Sequence, residues 1–232
     1  MKTGNYINGF WFSNMRIIIM FVFHWLLKKD VFMSCKHYGN LILNKNLYCS
    51  GKNFELKTNN EDRLEKKGFV RKTMNKTKHG YYYHKVMDDD REIIYLTQNG
   101  MRIFMKQEYG KDIFRYPDEA YLIRKVGDDF GEVDVKILEK KSQNSAGSME
   151  TKLWSGPSLS REYELMLGGG FRVEYSFCLN HFLAMKLYSG VYNGVTGNKY
   201  VYLLRILNEN GIRVFMGDSS DYFEKLDHWI GI

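Results

Sequence analysis

The sequence predicts an α/β fold, a mixed central β-sheet flanked by helices, over residues 92–232. Three observations predict it. Runs rich in β-formers alternate there with runs of helical periodicity, the order expected of a sheet covered by helices. Gly- and Asp-rich turns separate neighbouring β-rich runs, as hairpins require. A hydrophobic content of 44% with only two prolines in 232 residues supplies a buried core and excludes a disordered chain. A mean hydropathy of −0.43 excludes a multi-span membrane protein, and the absence of a glycine period or sustained heptads excludes collagen and coiled coil.

Residues 1–35 form an apolar extension. Its run 17–27 (IIIMFVFHWLL) is broken by His24 and flanked by Arg16, Lys28 and Lys29. A bilayer span needs about 20 apolar residues, and no small-residue cleavage site precedes Lys28. A helix on the core, a membrane-surface anchor and sequence upstream of the true start are the three readings. A dispensable or peripheral extension is expected. Cys35, Cys49 and Cys178 are scattered and odd in number, which argues against a disulfide framework or zinc site and for a reducing, intracellular, soluble setting.

Residues 36–91 are expected to form a basic N-terminal region. A short helix over 61–67 ends at Gly68, and β-rich runs at 81–86 and 92–96 flank a turn, Met87-Asp88-Asp89-Asp90. Thr97 then reads as an N-cap for a helix carrying Met101, Phe104, Met105 and Tyr109 on one face, closed by Gly110. Strands follow at 112–115, 119–126 and 133–139, the last two joined by a turn at 127–131. A helical stretch over 148–167 is broken near Gly156-Pro157 and stopped by Gly168-Gly169-Gly170. A strand at 171–179, helices at 180–187 and 200–209, a strand at 212–216 and a helix at 219–229 complete the chain.

The net charge is +7, which favours a polyanionic partner. Between residues 63 and 85, eight Lys or Arg stand against Glu65 alone, so this stretch by itself matches the excess of the whole chain. Tyr81-Tyr82-Tyr83 follow its lysines. Cations for phosphates beside aromatic faces for bases suit nucleic-acid contact, and Arg71, Lys72, Lys76, Lys78 and Tyr82 are the candidates.

The chemistry-bearing stretch is 115–143, RYPDEAYLIRKVGDDFGEVDVKILEKKSQ. Asp118 sits at the mouth of one strand, and Glu139 and Lys141 end the next strand of the same hairpin. Side chains two apart on a strand share a face about 7 Å apart, so Glu139, Lys141 and Gln143 point one way while the hairpin brings Asp118 beside them. Two converging carboxylates suit Mg²⁺, a hard cation held by one or two carboxylates, waters and substrate phosphate. A neighbouring lysine can orient the attacking water and stabilise charge on a phosphate. Glu119 points to the opposite face in an ideal strand and is the weaker ligand candidate, an assignment that a bulge at Pro117 would reverse.

Pro117-Asp118 followed by Glu139-x-Lys141 on adjacent strands, between two helices, resembles the PD-(D/E)XK nuclease superfamily. The resemblance covers residues 97–179 and implies a restriction-endonuclease-like αβββαβ core. It implies Asp118, Glu139 and the Lys140 carbonyl as metal ligands and Lys141 as the catalytic lysine. Gln143 matches a polar position found two residues further on, and Gln107 or Glu108 on the first helix matches an accessory one. Lys152, in a helix entered from the loop after Gln143, can help hold a phosphate. The function implied is Mg²⁺-dependent hydrolysis of DNA, duplex favoured, restriction-like and compatible with a homodimer, leaving a 3′-hydroxyl and a 5′-phosphate. A non-catalytic nucleic-acid-binding protein keeping the fold is the alternative.

Other features read as structural. His79, His84, His181 and His228 lack metal-ligand spacing, and Asp88-Asp89-Asp90 reads as a turn. Gly168-Gly169-Gly170 reads as a helix stop. Trp154, Tyr163 and Leu165 read as core.

Overall fold

The computed structural model describes residues 51–74, 80–128, 131–143, 149–192 and 199–232. All lie in the compact unit Cys49–Ile232. The apolar run 17–27, Cys35, Cys49, Lys76, Lys78 and His79 lie outside them. No described helix is long and apolar enough to cross a membrane.

Two short helices, α1 (Gly51–Lys57) and α2 (Glu61–Lys66), lead into β1 (Val70–Thr73), β2 (Tyr81–Val86) and β3 (Arg91–Thr97). Helix α3 (Gln98–Tyr109) is followed by β4 (Glu119–Lys125) and β5 (Val133–Lys141). Then come α4 (Met149–Trp154), α5 (Gly156–Leu167), β6 (Phe171–Leu179), α6 (His181–Tyr192), α7 (Lys199–Glu209), β7 (Arg213–Met216) and α8 (Tyr222–Ile230). The strands form one seven-stranded mixed sheet in the order β1-β2-β3-β4-β5-β6-β7. β1 to β5 pair antiparallel, and β6 and β7 join parallel. Both parallel connections run through helices, which a parallel crossover requires.

Alternation along the strands splits the core into two layers. Ile94 and Leu96 (β3), Ala120 and Leu122 (β4), and Val135 and Ile137 (β5) face α3, α5, α6 and α7 in the larger layer. Ile93, Tyr95, Tyr121, Ile123, Leu138 and Cys178 face α1, α2 and α8 in the smaller one. Complete burial raises the Cys178 thiol to about 12, so it is an inert core residue.

The structure corrects several sequence expectations. Residues 112–115 form no strand, because β3 already pairs with β4 along its whole length. The order over 97–179 is therefore αββααβ, and the strand flanking β4 precedes α3 instead of following it. β1 and β2, expected in a separate basic region, are hydrogen-bonded members of the same sheet. The expected break near Gly156-Pro157 is present, at Ser155, where α4 gives way to α5. Tyr163 is buried, but Trp154 and Leu165 are exposed at 37% and 66% and lie outside the core. The aspartate turn holds as a turn: Asp90 adopts φ 60°, and Asp89 accepts from Arg91 Nε at 2.6 Å.

A charged network locks the α3 side of the sheet. Glu92 Oε1 accepts from Arg124 Nε at 2.6 Å, Glu92 Oε2 lies 2.7 Å from His84 Nε2, and Arg124 donates to the Tyr109 hydroxyl at 2.8 Å. Burial alone would raise the Glu92 carboxyl, but the hydrogen bonds from His84 and Arg124 outweigh it and hold it below the ordinary value of 4.5. A carboxylate depressed in the folded state adds stability above its unfolded pKa and loses it as pH falls through the folded value. Glu92→Gln is therefore expected to cost about 1–3 kcal/mol at neutral pH. In urea titrations repeated across pH, the gap between variant and wild type should close progressively below pH 4.5.

Candidate active site

The candidate site lies at one end of the sheet, where β3 and β5 end and β4 begins. The register pairs Thr97 with Glu119 and Glu119 with Leu138, so Gln98, Asp118 and Glu139 fall next to one another. Asp118 is anchored on both carboxylate oxygens. Oδ2 accepts from the Lys140 backbone N–H at 2.7 Å, and Oδ1 accepts from Gln98 Nε2 at 3.0 Å. Lys141 Nζ donates to Glu139 Oε2 at 2.6 Å and lies 3.8 Å from Asp118 Oδ2. The hairpin thus brings Asp118, Glu139 and Lys141 together.

The alternation of β5 assigns these groups to faces. Glu139 and Lys141 follow Val135 and Ile137 on the larger-core face, while Lys140 follows Leu138 on the other. The Lys140 side chain accordingly turns away from the site. Its Nζ donates to Glu119 Oε1 at 2.5 Å and to the Thr58 carbonyl at 2.7 Å. Glu119, 2% exposed, also accepts from Asn60 Nδ2 at 2.6 Å and the Tyr121 hydroxyl at 2.9 Å. Glu119 is therefore a buried anchor behind the site and contributes no ligand to it. Within a strand, a residue's N–H and C=O point to the same edge. The Lys140 carbonyl therefore faces the Asp118 side, to which its N–H already donates.

The floor of the site is phenolic. Tyr163 on α5 and Tyr175 on β6 are buried, and among the described residues their hydroxyls have no hydrogen-bond partner. Burial raises both phenols, and the charge of Glu139 raises them further. The Glu139 carboxyl is itself raised, first by burial and then by the charge of Asp118, with Lys141 and Arg115 pulling the other way. Arg115 is held by Glu162 on α5. The loop leaving Lys141 is pinned by buried Asn180. Its N–H donates to the Lys141 carbonyl at 3.1 Å, its Nδ2 donates to the Gln143 carbonyl at 3.0 Å, and its Oδ1 accepts from the Gln143 N–H at 3.3 Å.

The two carboxylates, with the Lys141 ammonium between them and the Lys140 carbonyl beside them, are oxygen groups of the type a hard cation takes. Among the described residues no group of three His, Cys, Asp or Glu could hold a metal. A cation here would complete its shell with water and phosphate oxygen, the habit of Mg²⁺.

The other nominated residues are distributed more widely. Gln107 and Glu108 are exposed near the end of α3, about 14 Å along the helix from Gln98. The first-helix residue at the site is Gln98, which the sequence reading missed. Only its position beside the expected N-cap Thr97 hinted at it, and the β3–β4 register was needed to bring it there. Lys152 is exposed on α4. Arg71 and Lys72 are exposed on the edge strand β1, with the Arg71 guanidinium 4.1 Å from the centroid of the Tyr81 ring. Lys72 pairs with Tyr82, whose ring packs half-buried and edge-on against Phe104. Tyr82 is therefore a packing residue on that side. Arg63 and Lys67 both pair with Asp227, which reduces the free charge of the basic stretch. His84 serves the Glu92 network, and His181 and His228 are exposed. No family model, curated protein or solved structure matches the chain.

Proposed function

We propose that the chain is a Mg²⁺-dependent nuclease of the PD-(D/E)XK type, hydrolysing phosphodiester bonds in DNA. The observation that carries this reading is the convergence of Asp118, Glu139 and Lys141 at the ends of two adjacent strands, with Lys141 Nζ 2.6 Å from Glu139. Their spacing in the sequence is that of the superfamily motif, and the sheet around them is compatible with its core.

In this reading Asp118, Glu139 and the Lys140 carbonyl would hold Mg²⁺, which when bound supplies Lewis-acid stabilisation of the charge that builds on the phosphate. The chain's own residues do the positioning. Gln98 and the Lys140 N–H fix the Asp118 carboxylate, so its orientation costs little at the moment of reaction. Lys141 is restrained by Glu139 at a point from which its ammonium can donate to a phosphate oxygen or orient a water for in-line attack. Tyr163 and Tyr175 close the floor and keep the low-dielectric side of the site dry. The net charge of +7, with exposed Arg71 and Lys72 on the edge strand, supports a polyanionic substrate.

Incubation with supercoiled plasmid tests the reading. Relaxed or linear product is expected with Mg²⁺ and none with EDTA. A plasmid left intact by well-folded protein over a range of Mg²⁺ would favour a non-catalytic nucleic-acid-binding role.

A further inference from the structure

The segment between α3 and β4, residues 110–118, runs to Asp118 without pairing to any strand. Its side chains nevertheless alternate. Ile113 is buried in the larger core, and Arg115 is tied, half-buried, to Glu162 on α5. Phe114 and Tyr116, on the intervening positions, are exposed at 70% and 45%. Pro117 is buried and seats the segment immediately before Asp118. The two rings are thus held outward by the anchoring of their neighbours.

Scattered exposed aromatics are ordinary on a protein surface. These two are distinguished by position. Tyr116 is two residues from Asp118 and Phe114 four, at most about 7 Å and 14 Å along the chain. The Arg115 guanidinium between them is close enough to act on the Glu139 carboxyl. A phosphate engaged by Lys141 would therefore bring the adjoining one or two nucleotides over these rings. Tyr82, the ring nominated from sequence for such contact, is taken up by Phe104.

Duplex bases are stacked on one another and offer phosphates and groove edges to a protein. Unpaired bases expose their π-faces to flat rings on a protein surface, each stacked base contributing substantially to affinity. We infer that Phe114 and Tyr116 form a stacking platform for unpaired nucleotides flanking the scissile phosphate. The substrate class is then single-stranded DNA, or a duplex with an unstacked strand at the cut. This rests on the nuclease reading for the placement of the phosphate, but the platform can be tested without cleavage.

The test compares wild-type protein with the Phe114→Ala/Tyr116→Ala double variant in EDTA. Fluorescence anisotropy would follow a fluorescein-labelled mixed-sequence single strand and the duplex made from it. Each ring lost should weaken single-strand binding about fivefold to a hundredfold, with duplex affinity changed less than about twofold. Phe114→Trp/Tyr116→Phe should retain single-strand affinity, which separates stacking from a folding defect. Equal loss on both ligands, no loss on either, or a change in sedimentation mass without a change in affinity would each overturn the platform. Mg²⁺-dependent cutting of the labelled single strand and of plasmid, scored in parallel, keeps the two readings apart. Intact cutting with unchanged single-strand binding sinks the platform alone, whereas ring-dependent binding without cutting of either substrate sinks the nuclease alone.

Discussion

Asp118→Ala and Glu139→Ala should each abolish Mg²⁺-dependent cleavage while leaving the protein folded and able to bind DNA. The two carboxylates supply the oxygen donors of the site, and no third acidic, histidine or cysteine ligand completes a cluster among the described residues. Losing either therefore removes a large share of the cation's holding energy. Lewis-acid stabilisation of a phosphoryl transition state amounts to several kcal/mol, so the rate should fall on the order of a thousandfold or more. Folding should survive for a specific reason. Burial and the neighbouring Asp118 charge already hold the Glu139 carboxyl above its ordinary value. Such a group adds stability in its protonated form at low pH and loses it as pH rises through the folded pKa. Its ionised form at neutral pH is kept at some cost to the fold. Single-turnover cleavage with thermal melting alongside gives both readouts. Cleavage within tenfold of wild type in either variant would remove that residue from the site.

The largest expected effect on stability lies directly behind the site. Glu119→Ala leaves Lys140 Nζ, whose side chain is 10% exposed, without its carboxylate, and it removes an acceptor from Asn60 and Tyr121. Breaking a buried ion pair by deleting one partner costs about 3–5 kcal/mol, because the surviving charge remains desolvated. The pair ties Asn60, ahead of α2, to β4 and β5 at the residues adjoining Asp118 and lying between Glu139 and Lys141. Chemical denaturation should show a lower midpoint with an unchanged slope. Replacing both members by Met should recover much of the loss, since the desolvated charge then disappears. A Glu119→Ala variant within 1 kcal/mol of wild type would show that the network carries little energy.

The difference between these two acidic neighbours was legible in the sequence. Asp118 and Glu119 are adjacent, and strand alternation alone sends one to the face of the candidate site and the other behind it. The Glu139-x-Lys141 spacing gave a shared face in the same way, and one hairpin sufficed to bring Asp118 beside them. What escaped were contacts fixed by register and by long separations. Gln98 reaches Asp118 only because Thr97 pairs with Glu119 across β3 and β4. Asn60 reaches Glu119 from 59 residues away. Residues 112–115 have the alternation of a strand, with Ile113 in and Phe114 out, but local pattern cannot reveal that β3 already occupies the flank of β4. β1 was missed because four residues, VRKT, exposed on an edge, carry no burial pattern. The tyrosine strand was read for nucleic acid on its composition, whereas its pairing buries Tyr83 and seats Tyr82 on α3.

The most direct test of the central claim compares wild type and Lys141→Ala on an end-labelled DNA, started by adding Mg²⁺ and stopped with EDTA. Wild-type products are expected to end in a 3′-hydroxyl and a 5′-phosphate. The rate should be about 10²–10⁴-fold lower in the variant, the range for loss of a positioned proton-transfer or charge-stabilising group. Cutting by Lys141→Ala at the wild-type rate would contradict that claim.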